Sequence, residues 1–236
     1  MPGFSLFSCL LIRCRSGRWA HRVSILAIFG TLLLASVSRT PLSAAPAETD
    51  TTHPKAPFKI LYSNDTTNIT SCVSPYHAAR ADFTDEMLRR SIDEAVGADV
   101  QLLQPGMGWI PWWKSKSYPA DEHYRYYERK YGLKLDTFGR YMVSGGDVVQ
   151  TFVDRCRDRS VAPFISLRLN DGHHLEHVGD GTRYAMHSVS RFYEDHYQQY
   201  RIGSNQRNWD DHVLDWSNPE VREHKLTFIR ELCENY

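Results

Sequence analysis

The sequence lacks a surplus of either charge: 28 Lys and Arg face 28 Asp and Glu across 236 residues. Without net positive charge, nucleic acid is excluded as a partner, because phosphate binding rests on neutralising cations. No GxSxG elbow, P-loop or HExxH occurs, which leaves nucleophilic-serine, phosphoryl-transfer and zincin chemistry without support. No CxxC pair occurs, and beyond residue 47 only Cys72, Cys156 and Cys233 remain, widely spaced. That excludes a disulfide framework and a zinc knuckle. Cys156 and Cys233 sit among apolar residues at helical spacing and are expected to be buried free thiols. The weakly polar to apolar run Val23–Val37 stops at 15 residues, short of the roughly 20 that a spanning helix needs. What is present, 42% hydrophobic and 12% aromatic residues, excludes a disordered chain, a collagen and a coiled coil.

The balanced charge conceals two unlike parts. Residues 1–47 carry Arg13, Arg15, Arg18, Arg22 and Arg39 and no acid, so the remaining 189 residues hold 23 bases against 28 acids. An Arg-rich start, the run Val23–Val37 and the small-x-small triplet Ala45-Pro46-Ala47 form the pattern of an export signal cleaved before Glu48. A retained N-terminal membrane anchor is the alternative, and the only membrane contact the sequence suggests. Residues 48–57 are a short polar, Pro-containing linker. The protein is therefore expected to be periplasmic or extracellular.

From residue 58 the periodicity alternates between strand and helix. Phe58–Ser63 is β-prone. Thr84–Val96 follows as a helix with Met87, Leu88, Ile92, Ala95 and Val96 on one face. Val100–Gln104 is the second strand, and Asp147–Arg159 the second helix, with Val148, Val149, Phe152, Val153 and Cys156 on its face. Val161–Asn170 is the third strand. Ser217-Asn218-Pro219-Glu220 starts a last helix with Val221, Leu226, Phe228, Ile229 and Leu232 turned inward. Strand–helix alternation with crossovers of this length predicts parallel strands covered by helices. The turn after the first strand, NDTTNITSC, has no glycine, which argues against a dinucleotide-binding sheet. Long connections follow strands and short ones follow helices, the asymmetry of a (β/α)8 barrel. Three units are expected to be a partial TIM barrel, the N-terminal portion of one over residues 58–236, stopping before a fourth strand.

Alternation in the third strand puts Ile165, Leu167 and Leu169 on one side and Ser166, Arg168 and Asn170 on the other. Arg168 and Asn170 are then expected inside the barrel near its mouth, with Asp171, Gly172, His173 and His174 on the loop that opens there. His173 and His177, with Glu176 and Asp171, also permit a weak metal reading; otherwise no metal or cofactor is implied. Trp109, Trp112 and Trp113 lie within five residues and suit stacking on sugar faces or, equally, a satellite core. His123, Asp121 and Glu122, and later His187, His196 and His212, are expected to be solvated.

The segments YSNDTTNITSC, LLQPGMGWIPWWKS, FGRYM and PFISLRLNDGHH resemble the opening part of exported bacterial glycoside-hydrolase-like (β/α)8 barrel proteins. The resemblance covers about residues 58–236 and implies a carbohydrate substrate. It implies that the acid/base and nucleophile carboxylates of related barrels lie on later strands, so Asp171 is only a weak catalytic candidate here. Asn64, Asp65, Trp109, Trp112, Trp113, Arg168, Asn170, Asp171, His173 and His174 are the candidate substrate-binding residues. A non-catalytic carbohydrate-binding barrel and a metal-dependent hydrolase such as a deacetylase are the alternatives.

Overall fold

Strand and helix segments in the order read from the sequence recur in the computed structural model, which describes residues 9–13, 58–64, 82–172, 175–203 and 209–236. Strands β2 (Leu61–Asn64), β3 (Val100–Leu103) and β4 (Ala162–Arg168) form a parallel sheet. In register, Leu61 pairs with Val100 and Val100 with Ala162, so the three strands start level. Asp99 fixes the start of β2, its carboxylate accepting from the backbone N–H groups of Lys59 and Ile60 at 2.8 and 2.9 Å. The chain is mixed α/β, as expected.

A further strand, β1 (Cys9–Arg13), lies antiparallel on the other side of β4. It comes from the segment read as an export signal. Its backbone satisfies N–H and C=O groups that the β4 edge would otherwise leave unpaired. A chain beginning at Glu48 would not carry this strand. The remainder of the leader, the linker and Cys72 lie outside the described residues.

The helices follow their caps. In α1 (Asp85–Asp93), Thr84 Oγ1 accepts from Met87 N–H, the bond that a β-region N-cap makes. Met87, Leu88 and Ile92 are buried, but the helix stops before Val96, which is 84% exposed. Val96 therefore leaves the expected face because no helix remains to aim it inward. The long connection after β3 contains α2 (Ala120–Tyr131) and α3 (Thr137–Val143), before α4 (Val148–Asp158) returns the chain to β4. Asp147 caps α4, and Val148, Val149, Phe152, Val153 and Cys156 are all buried as expected. Arg155 clamps Asp93 with two bonds of 2.9 and 2.5 Å, tying α4 to α1. The connection after β4 contains α5 (Arg183–Ser188) and α6 (Arg191–Tyr200).

The last helix, α7 (Pro219–Asn235), has Pro219 in its first turn and Asn218 as its cap, accepting from Glu220 N–H. Its buried stripe is Val221, Lys225, Phe228 and Leu232. Those positions are four, three and four apart, one continuous helical face. Leu226 lies one residue off that line and is 39% exposed, and Cys233 is exposed for the same reason. Both departures from expectation follow from the stripe passing through a lysine. Among the described residues no helix is long and apolar enough to cross a membrane.

Candidate functional site

The carboxyl ends of β3 and β4 open into the two long connections, and polar groups from both meet there. Gln104 follows β3 directly and is buried; its amide donates to Gly106 C=O at 3.2 Å and reaches Asp171 Oδ2 at 3.5 Å. Gly108 N–H donates to the same Asp171 oxygen at 3.1 Å. One carboxylate from the β4 end thus holds the turn that follows β3. That turn has a demanding backbone. Gly108 has φ 55°, and a Cβ there would lie 1.7 Å from Ser188 C=O, so only glycine fits. Trp109, with φ 63°, takes the left-handed region without being glycine, a local cost of about 1–3 kcal/mol that such sites concentrate.

Two shallow recesses flank this turn, each with about 280 Å³ of space partly open to solvent, and Trp109 and Asp171 line both. Arg168 and Gln104 line one, and Asn170 and Lys225 line the other. The alternation expected of β4 is present, since Ile165 and Leu167 are buried and Ser166 and Arg168 are half-buried. Asn170 lies at the surface, where its Oδ1 accepts from Trp216 Nε1 at 2.5 Å.

Other candidates are placed elsewhere. Asn64 turns its amide toward Ser91 of α1, at 3.4 Å, and lines neither recess. Trp109, Trp112 and Trp113 are only 7%, 0% and 3% exposed. Trp109 and Trp113 pack on Phe228, and Trp112 on Phe138 with ring centres 4.8 Å apart. Of their two readings, core packing fits their burial, although Trp109 still lines both recesses. His177 Nδ1 donates to Asp180 Oδ2 at 3.1 Å, and its ring stacks on Tyr184. No cluster of three potential metal ligands exists among the described residues. Asp65, His173 and His174 lie outside the described residues, so the HHxxH grouping is not defined.

Three histidines expected in solvent are buried. His123 sits in α2 with Nε2–H donating to Met186 C=O at 2.7 Å and Nδ1 facing Tyr118 O–H at 2.5 Å. Burial lowers its pKa to about 4, although the Met186 bond works the other way. His187 donates to Asp136 Oδ2 at 2.7 Å, where Arg183 also binds at 2.6 Å. Burial raises the Asp136 pKa, but His187, Gly139 N–H and Arg183 outweigh it and hold the carboxyl well below its ordinary range. His212 is buried as well, and Tyr193 O–H donates to its backbone C=O. A second knot joins α7 to the aromatic turn. Glu231 accepts five bonds, from Trp113 Nε1, Ser115 Oγ, Lys116 N–H, and both N–H and Oγ of Ser117, at 2.6–3.1 Å. Burial raises the Glu231 pKa, and these bonds more than reverse it.

Sequence reasoning missed Lys225, which is 4% exposed and has its Nζ 4.0 Å from the centre of the Trp109 ring. The signal was available, because the apolar line 221, 228, 232 of α7 leaves one gap and Lys225 fills it. No family model matches this chain and no curated protein matches it.

Proposed function

We propose that the three parallel βα units form part of an exported, glycoside-hydrolase-like (β/α)8 barrel that binds or cleaves polysaccharide at the carboxyl ends of its strands. The observation carrying this reading is the meeting of Gln104, Arg168 and Asp171 at the ends of β3 and β4, where the long connections lie. In barrels that end is the working face. With the three tryptophans in the core, sugar recognition falls to hydrogen bonds from Arg168, Asn170 and Asp171 rather than to stacking.

A purely binding role has its own support. Glycosidic cleavage needs two carboxyl groups about 5–9.5 Å apart, and among the described residues Asp171 is the only carboxylate lining either recess. The residues present account for holding a glycan better than for breaking one. Affinity electrophoresis of the full chain in gels containing neutral or acidic polysaccharides tests this, with Asp171→Asn alongside. Retardation by one glycan class, weakened on the order of ten-fold by Asp171→Asn as for a lost charge-assisted bond, is the expected result. Release of reducing ends in the same samples would add cleavage. Mobility unchanged in every gel would remove the carbohydrate reading.

A further inference from the structure

Lys225 is a buried amine for which the described residues supply no hydrogen-bonding partner. Its side chain lies in the apolar stripe of α7, and its Nζ makes no hydrogen bond or ion pair with a described residue. The contrast with Lys130 is direct: that ammonium sits at the surface and binds Glu194 at 2.6 Å and Tyr126 O–H at 2.7 Å. Lys225 instead touches a ring face and lines a recess with Asp171, Asn170, Tyr193, Leu175 and Leu214. A buried charge without hydrogen bonds is expensive, so the group loses its proton instead. Burial accordingly drives the Lys225 pKa well below its ordinary value, opposed only by the charge of Asp171. The nitrogen lone pair is then available.

We propose that Lys225 is a nucleophile that condenses with the carbonyl carbon of a small aldehyde or ketone bound in this recess. The lone pair of Nζ adds to the carbonyl carbon, giving a carbinolamine. One amine proton moves to the oxygen as the carbinolamine forms; the other stays on nitrogen while a proton taken up from solvent lets the hydroxyl leave as water, so that an iminium C=N bond replaces C=O. Asp171 is the carboxylate placed to carry that proton. The surroundings favour the product over the free ammonium. An iminium carries its charge without needing three hydrogen-bond acceptors, and both the Trp109 face and the Asp171 charge stabilise a cation there. The enclosed part of the recess is small and opens to solvent, which restricts the ligand to the smallest aldehydes and ketones. This chemistry shares Asp171 with the glycan reading but does not rest on it.

The test uses the native full chain incubated with glyceraldehyde or, separately, dihydroxyacetone, then reduced with sodium borohydride and mapped by peptide mass spectrometry. Lys225 is expected to take up the reduced adduct on the order of ten-fold faster than the exposed Lys114 and Lys116, as an activated amine does. The label at Lys225, and not that at Lys114, should slow in Asp171→Asn. Adduct at Lys225 no faster than at the exposed lysines with both probes, or only after unfolding in urea, would overturn the proposal. Because the wild-type chain gives the primary readout, the outcome does not depend on a variant folding.

Discussion

The insertion after β3 and the recess at the strand ends both bury polar side chains, yet they treat them in opposite ways. In the insertion, His123 finds a carbonyl for its N–H and a hydroxyl for its other nitrogen, and Asp136 collects His187, Arg183 and Gly139 N–H. Around His123 and Asp136 donors and acceptors match, although Trp112 Nε1 in the same insertion is buried without a partner. At the strand ends, Lys225 has only a ring face, and Trp109 Nε1 is buried without a hydrogen-bond partner. Matched networks rigidify a fold, and buried groups left unmatched call for another explanation. The difference sets a hydrogen-bonded network in the insertion against an amine at the strand ends that no described residue hydrogen-bonds.

Removing a matched partner should hurt most. Asp136→Ala strands the His187 and Arg183 donors and uncaps α3, whose Gly139 N–H the carboxylate accepts at 2.8 Å. Breaking a buried charge network costs about 3–5 kcal/mol. We expect a loss of that size in urea denaturation, with Arg183→Ala much milder because Arg183 is exposed. A loss under about 1 kcal/mol for Asp136→Ala would mean the insertion tolerates unmatched groups as the recess does.

Acidification attacks the same network without mutation. His123 is neutral in the fold, with its pKa lowered to about 4 by burial, and His224 is lowered to about 3, chiefly by burial. Below the ordinary histidine value of about 6.5 the unfolded chain binds protons that the folded chain refuses. Stability therefore falls as the pH drops from about 6.5 toward about 4, by up to about 3 kcal/mol for His123 alone. His123→Gln should flatten this slope in urea melts taken at half-unit pH steps. An equally steep decline in that variant would assign the acid sensitivity to other groups.

Glu231 gives a smaller test of matching. Glu231→Gln keeps one carbonyl acceptor; placing it on the three donors of Lys116 and Ser117 turns the amide toward Trp113 and Ser115. A loss of about 1–2 kcal/mol is expected. Tryptophan fluorescence should shift with it, since Trp113 loses its partner.

How far the sequence could be read follows the same divide. Aliphatic periodicity and caps announced the three parallel strands, α1, α4 and α7, because Thr84, Asp147 and Pro219 mark helix starts by local chemistry. Helix α2 was not legible: its buried face is His123, Tyr124 and Tyr127, and residues with polar atoms read as solvated unless their partners are known. Those partners, Met186, His187 and Val189, lie more than sixty positions away. Asp171 was legible as a strand-end group, whereas its bond to Gly108 depends on a left-handed turn that composition does not reveal. The tryptophans were ambiguous in principle, since a ring suited to a sugar face is equally suited to Phe228.

Lys225→Met reverses the sign of the comparison and has the smallest expected effect. Methionine keeps the length of the side chain, removes the desolvated amine, and places a thioether beside Trp109, where sulfur–ring contact is favourable. A group buried without partners contributes nothing that methionine cannot replace, so stability should stay unchanged or rise by about 1 kcal/mol. The matched residues Asp136 and Glu231 cannot be exchanged for apolar groups in this way without stranding their donors. Urea denaturation of Lys225→Met beside Asp136→Ala therefore measures the contrast directly. If Lys225→Met costs more than about 2 kcal/mol, the amine holds α7 to the aromatic turn and both regions are structural. If it costs nothing while the adduct formed with glyceraldehyde disappears, then burial at the strand ends serves reactivity, and the unmatched nitrogen marks the working part of the molecule.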